Sequence, residues 1–194
     1  GDVKMEFEPS GDLETPYVFE ERVFGGAVPK NYFPAVEKGI QECVLKGPLA
    51  GYPVVGLKAT LVDGSYHPVD SSELAFKMAA TMAFKKGFMD ANPVLLEPIA
   101  SLKVTVPDKF TGDVMGDLNR RRGRVLGMNS NHHGKQTIEA DIPVSELFGY
   151  NTDLRSMTGG IGEYEYEFSR YEQAPGDVQK REVEARASQT DGEA

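Results

Sequence analysis

Apolar and polar residues alternate over residues 3–8, with Val3, Met5 and Phe7 on one side. This period of two predicts a half-buried strand. Pro9-Ser10-Gly11-Asp12 supplies turn chemistry. Residues 17–24 form a second extended run, broken by Gly25-Gly26. After Pro29 the period lengthens. Phe33, Val36, Ile40, Cys43 and Val44 fall on one helical face, opposite Glu37, Lys38, Gln41, Glu42 and Lys46. Gly47-Pro48 should end that helix. Residues 53–62 predict a strand with Val55, Leu57, Ala59 and Leu61 pointing one way. A polar turn over residues 63–68 leads to Asp70-Ser71-Ser72-Glu73, which reads as a helix N-cap with its capping glutamate. The next helix is expected to bury Leu74, Met78 and Met82 beside Ala75, Ala79 and Ala83. It should turn Lys77, Thr81 and Lys85 outward and stop at Gly87.

The stretch 92–98 (Asn-Pro-Val-Leu-Leu-Glu-Pro) is extended and bounded by prolines, and marks a domain boundary. Beyond it, residues 102–106 read as a strand and 110–122 as a helix with Val114 and Leu118 inward. Residues 124–128 and 137–142 read as strands joined by a polar hairpin. A further helix begins at Ser145 and ends near Gly159-Gly160. Residues 163–171 alternate glutamate with Tyr164, Tyr166 and Phe168, a strand with one buried aromatic face and one solvated acidic face. This β-α-β-β-α-β order is the ferredoxin-like split βαβ. Pro175-Gly176-Asp177 starts a short charged helix over 178–187, and the polar residues 188–194 are expected to be a disordered tail. The predicted class is therefore α+β. Its parts are a βαβ domain over 1–94, a ferredoxin-like domain over 95–174, a C-terminal helix over 175–187 and the tail.

Composition narrows the function. No apolar run approaches the roughly 18 residues of a membrane span. The N-terminus carries no charged-then-apolar pattern, so neither a span nor a secretory signal is expected. The single Cys43 cannot form an intrachain disulfide, which suits a reducing cytoplasm. The 30 acidic and 21 basic residues leave a net charge of −9. That argues against autonomous, tight nucleic-acid binding, because phosphate neutralisation drives such affinity. A local contact delivered by a larger machine remains compatible with it.

No residue pattern makes an active site. His132 and His133 are adjacent in a hairpin, where side chains diverge, and they lack a nameable third metal ligand. Cys43 lies on an apolar helix face without an activating cation. Gly159-Gly160-Ile161-Gly162 precedes a strand, whereas a dinucleotide loop follows one. No phosphate-loop motif occurs, because Gly134-Lys135 is followed by Gln136. The capping box accounts for Asp70 and Glu73. Two features remain. Arg120, Arg121, Arg122 and Arg124 place four cations in five residues. They are either a solvated helix end complementing the helix dipole or a phosphate-contacting patch. Gly64, Ser65, Tyr66, His67 and Pro68 join a long strand to a capped helix. They should project as a tip whose small, aromatic and imidazole groups suit riboses and bases.

The motifs resemble the C-terminal part of bacterial elongation factor G. The run 49–55 (Leu-Ala-Gly-Tyr-Pro-Val-Val), the run 64–77 from Gly64 through His67 to Lys77, and Gly25-Gly26-Ala27-Val28-Pro29-Lys30 are similar to its domain IV. Residues 93–99, 112–123 and 148–158 are similar to the approach to domain V and to that domain's two helices. The resemblance covers residues 1–187. It implies a ribosomal-protein-S5-like domain IV, a ferredoxin-like domain V and a C-terminal helix that packs back on domain IV. It also implies a ribosome-dependent GTPase that moves tRNA and mRNA and, with a ribosome recycling factor, splits ribosomes. His67 would match the tip histidine that reaches the decoding site, and domain V would touch large-subunit rRNA. The GTPase domain, with its GTP and magnesium, would lie outside these residues, as would a glycine-rich loop forming the other half of the tip. No cofactor, metal or membrane partner is expected for these residues, and they should be monomeric and cytoplasmic. The alternatives are a paralogue specialised in recycling or ribosome protection, and a stand-alone RNA-binding module. The Ser-Tyr-His tip argues against ribosome protection.

Overall fold

A computed structural model describes residues 1–131 and 133–191. In chain order the elements are β1 (Asp2–Pro9), β2 (Tyr17–Glu21), α1 (Phe33–Cys43), β3 (Leu57–Ser65), α2 (Glu73–Asp90), β4 (Leu96–Pro107), α3 (Thr111–Arg120), β5 (Arg124–Ser130), β6 (Lys135–Pro143), α4 (Tyr150–Thr158), β7 (Glu163–Gln173) and α5 (Gly176–Asp191). Two compact units result. One joins Gly1–Leu95 to the chain from Pro175 onward, and the other is Leu96–Ala174. The architecture is α+β, as the sequence predicts.

In the first unit β3 is central, antiparallel to β1 and parallel to β2. Val36 and Ile40 of α1 meet Leu57, Ala59 and Leu61 of β3 in a closed core. Gly56, with φ of +70°, delays the strand to Leu57, so Val54 is buried and Val55 exposed. At its other end β3 outruns the expectation. Gly64 and Ser65 pair with Val3 and Asp2, and so belong to the sheet and not to the turn. Gly64 serves close approach here: a Cβ would collide with the Asp2 carbonyl oxygen and lie 2.6 Å from Val28.

The expected orientation of α2 is wrong. Phe76, Ala80 and Phe84 are the buried face, while Leu74, Met78 and Met82 are 64%, 57% and 71% exposed. Two ring contacts with other elements select this rotation. Phe76 meets Tyr32 at 4.7 Å, and Phe84, stacked on Phe88 of its own helix, meets Phe7 edge-on at 5.8 Å. Aromatic pairs add stabilisation beyond the area they bury, which the unbranched methionines would not match. Gly39 reinforces the choice, since a Cβ there would stand 2.7 Å from the Lys77 carbonyl oxygen. Lys77 is accordingly half-buried and reaches Glu42 at 2.8 Å. Nor does Gly87 stop the helix: it makes room for the Phe7 ring, and α2 runs on to Asp90.

In the second unit the antiparallel order is β5-β6-β4-β7. Leu102, Val104 and Ile138 on one sheet face bury against Val114 and Leu118 of α3 and Leu154 of α4. The Leu-Glu-Pro of the boundary stretch is the start of β4. α3 ends at Arg120, because Arg122 takes a left-handed φ of 61°. α4 starts later than Ser145. A single 3-10 turn spans Val144–Leu147, and Gly149, at φ of 72°, separates it from the helix. On β7 only Tyr164 packs against the core; Tyr166 and Phe168 are 50% and 56% exposed, because an edge strand extends past the covering helices. α5 continues beyond Ala187 through Asp191, with the Ser188 hydroxyl donating to the Glu184 carbonyl at 3.1 Å. Nothing between Ser188 and Asp191 breaks a helix, so the expected disordered tail does not begin at Ser188. Its last three residues, and His132, lie outside the described residues.

Candidate functional site

Residues 66–71 connect the end of β3 to α2. Ser72 is the N-cap, its hydroxyl accepting from the Ala75 amide at 3.0 Å. This corrects the assignment of the cap to Asp70. The loop is closed around the backbone of His67. The His67 amide donates to Ser71 Oγ at 3.0 Å, and its carbonyl accepts from the amides of Asp70 and Ser71 at 3.0 and 2.9 Å. Both main-chain groups are thus occupied, and the imidazole faces solvent beside exposed Pro68 and Val69. Pro68 also confines its predecessor to extended backbone.

Beneath the loop, Tyr66 lies against Tyr32, whose ring contacts buried Phe76. Burial, and then the neighbouring Tyr66 hydroxyl, push the Tyr32 phenol above its ordinary value. Of the five expected tip residues, Tyr66, His67 and Pro68 lie in the loop, while Gly64 and Ser65 support it from the sheet.

The arginine cluster divides. Arg121 is 12% exposed; its Nε meets Asp117 at 3.0 Å, another nitrogen reaches Asp153, and Nη1 donates to the Glu146 carbonyl at 2.5 Å. Its guanidinium also stands 5.0 Å from the centre of the Tyr150 ring. Arg122 grips both oxygens of Glu97 at 2.8 and 3.0 Å and reaches Glu146 at 3.2 Å. Those hydrogen bonds raise its already high pKa further, Glu97 contributing most. Both side chains are therefore committed within the unit. Arg120 and Arg124 are 78% and 74% exposed, each with one carboxylate partner, Asp117 and Asp141. The buried Asp117 was missed by sequence reasoning, although its spacing of three and four residues from Arg120 and Arg121 is the signal for such pairs.

Cys43 is half-buried, and burial pushes its thiol up, away from reactivity. Among the described residues no three His, Cys, Asp or Glu side chains gather to hold a metal, and no helix is long and apolar enough to cross a membrane.

The C-terminal helix is fastened inside the first unit. The Tyr52 hydroxyl donates to Glu182, and the Arg186 guanidinium lies 4.0 Å over the Tyr52 ring. Arg186 Nε donates to the Ala50 carbonyl at 3.2 Å, and the Leu95 amide donates to Gln179 at 2.9 Å.

Comparison with known proteins divides the chain near the same boundary, although the second match runs on into α5, which belongs to the first unit. Residues 1–92 match the family "Elongation factor G, domain IV", and residues 94–182 match "Elongation factor G C-terminus". A Thermus thermophilus protein of known crystal structure is 47% identical, with a TM-score of 0.79 over 97% of this chain. The chain spans 28% of the length of that protein. Two α/β units in this order, the second ferredoxin-like, are matched in succession by these two families over nearly the whole chain, and the chain belongs to the elongation factor G family.

Proposed function

We propose that this chain is the ribosome-contacting part of a translational GTPase that promotes movement of tRNA and mRNA in the cytoplasm, with the 66–71 loop entering the decoding site. The observation that carries the reading is His67. Its backbone amide and carbonyl are both held by the loop, so the main chain that carries its exposed imidazole has little conformational freedom left to lose on binding. A neutral imidazole donates one hydrogen bond and accepts another, which suits riboses and phosphates. The role is positional and involves no proton transfer. Arg120 and Arg124 supply phosphate contacts to rRNA from the second unit, their exposure supporting this role. GTP and magnesium would be bound by a GTPase domain outside these residues. The acidic balance of the chain then fits a module that is placed by a larger protein and does not search for RNA alone.

The test is His67→Ala in the full-length factor. Translocation should slow while ribosome-stimulated GTP hydrolysis continues. Normal translocation, or parallel loss of both activities, would remove His67 from this role.

A further inference from the structure

β7 is an edge strand, paired with β4 on one side only. Its first six residues, Glu163 to Phe168, pair in unbroken register with residues 100–105 of β4. Alternate residues of an antiparallel strand turn their amide and carbonyl groups away from the paired neighbour. Among the described residues, no further backbone hydrogen bond reaches that outer row. The opposite edge, β5, is shorter and broken by an irregularity between Val125 and Gly127, near its start, whereas the irregularity of β7 comes only after Phe168. β7 has neither proline nor lysine, two of the residues with which exposed edges are blunted.

The two faces of this edge differ in chemistry. Tyr166 and Phe168 stand half-exposed on the side of Leu102 and Ala100, and the Phe168 ring lies 5.1 Å from that of exposed Tyr171. Glu163, Glu165 and Glu167 occupy the other face, and none has a salt-bridge partner among the described residues. A second copy of β7 would set glutamates against glutamates, and like charges across strands are destabilising. A nucleic acid would bring phosphates to three carboxylates. An extended basic polypeptide would satisfy the open main-chain groups, the carboxylates and the aromatic side chains together.

We propose that β7 is a docking edge for an extended lysine- and arginine-rich polypeptide segment, which adds to the sheet as a further strand. The choice of ribosomes as the source of that segment rests on the function proposed above. In the full-length factor, Tyr166 would be replaced by photoreactive benzoylphenylalanine and the protein irradiated on purified ribosomes. The expected product is a crosslink to a basic segment of a ribosomal protein. The triple change Glu163→Gln, Glu165→Gln and Glu167→Gln should lower its yield about tenfold, on the scale of electrostatically assisted encounter. Crosslinks confined to rRNA, to a second copy, or to another part of the factor would overturn the inference, as would no crosslink or a yield indifferent to the triple change. Co-sedimentation with ribosomes separates the two readings. A factor that sediments with ribosomes but does not crosslink refutes the β7 inference alone, whereas an unmodified factor that does not sediment refutes both.

Discussion

The Tyr66 ring stacks against that of Tyr32 at 5.6 Å, tilted by 34°. Tyr32 in turn touches Phe76, which is fully buried. An exposed loop is therefore tied to the core through a ladder of three rings, and the base of the loop shares the rigidity of the sheet and α2. Tyr32→Ala should cost about 2–3 kcal/mol in denaturant unfolding of the chain, at the lower edge of large aromatic truncations. Tyr32→Phe keeps the ring and should stay within about 0.5 kcal/mol. Amide exchange over residues 66–71 should rise in the alanine variant and not in the phenylalanine one.

The loop separates groups that hold it from the group it displays. Ser72→Ala removes an N-cap hydrogen bond and should destabilise by about 1 kcal/mol. His67→Ala removes only an exposed side chain and should change stability by less than about 0.5 kcal/mol. Urea midpoints of the two variants would establish the order, and equal losses would contradict it.

The arginine cluster yields opposite outcomes for neighbouring residues. Arg121→Ala leaves the buried Asp117 carboxylate with a single exposed partner and should cost about 3 kcal/mol, as breaking buried ion pairs does. Arg120→Ala should cost less than about 1 kcal/mol, since exposed pairs contribute little. In the full-length factor the importance reverses. Charge reversal of Arg120 and Arg124 should weaken ribosome binding and flatten its salt dependence by about one unit of slope for each phosphate no longer neutralised. Unchanged affinity and slope would assign all four arginines to the fold.

Alkaline stability follows from Tyr150. Burial, and then the Asp117 carboxylate, raise its phenol well above the ordinary value, and its hydroxyl has no hydrogen-bond partner among the described residues. Above a pH of about 10 the unfolded phenol releases its proton while the folded one keeps it. The unfolded state then binds fewer protons, and stability falls as pH rises. Tyr150→Phe should reduce that loss without destabilising the chain at neutral pH. Urea midpoints at neutral and alkaline pH for both proteins would check it.

Sequence alone determined the elements whose pattern is local. α1 and α3 separate apolar from charged faces, so Val36 and Ile40, like Val114 and Leu118, are inward as their spacing requires. The alternation in β1 and β4, and the order of elements in the second unit, were legible for the same reason. The long family motifs identified both units. In α2, by contrast, Leu, Met, Ala and Phe surround the axis, so periodicity cannot choose a face. Phe7 on β1 and Gly39 on α1 choose it, by ring packing and close helix approach. The arginine run was visible as charge, but its division was not. Glu97 and Glu146 lie 25 and 24 residues from Arg122, and only the folded sheet brings these carboxylates to it. The tip motif named His67. That β3 carries Gly64 and Ser65 and leaves the loop to residues 66–71 was decided by pairing with Asp2 and Val3, because hydrogen bonds between distant segments set where a strand ends.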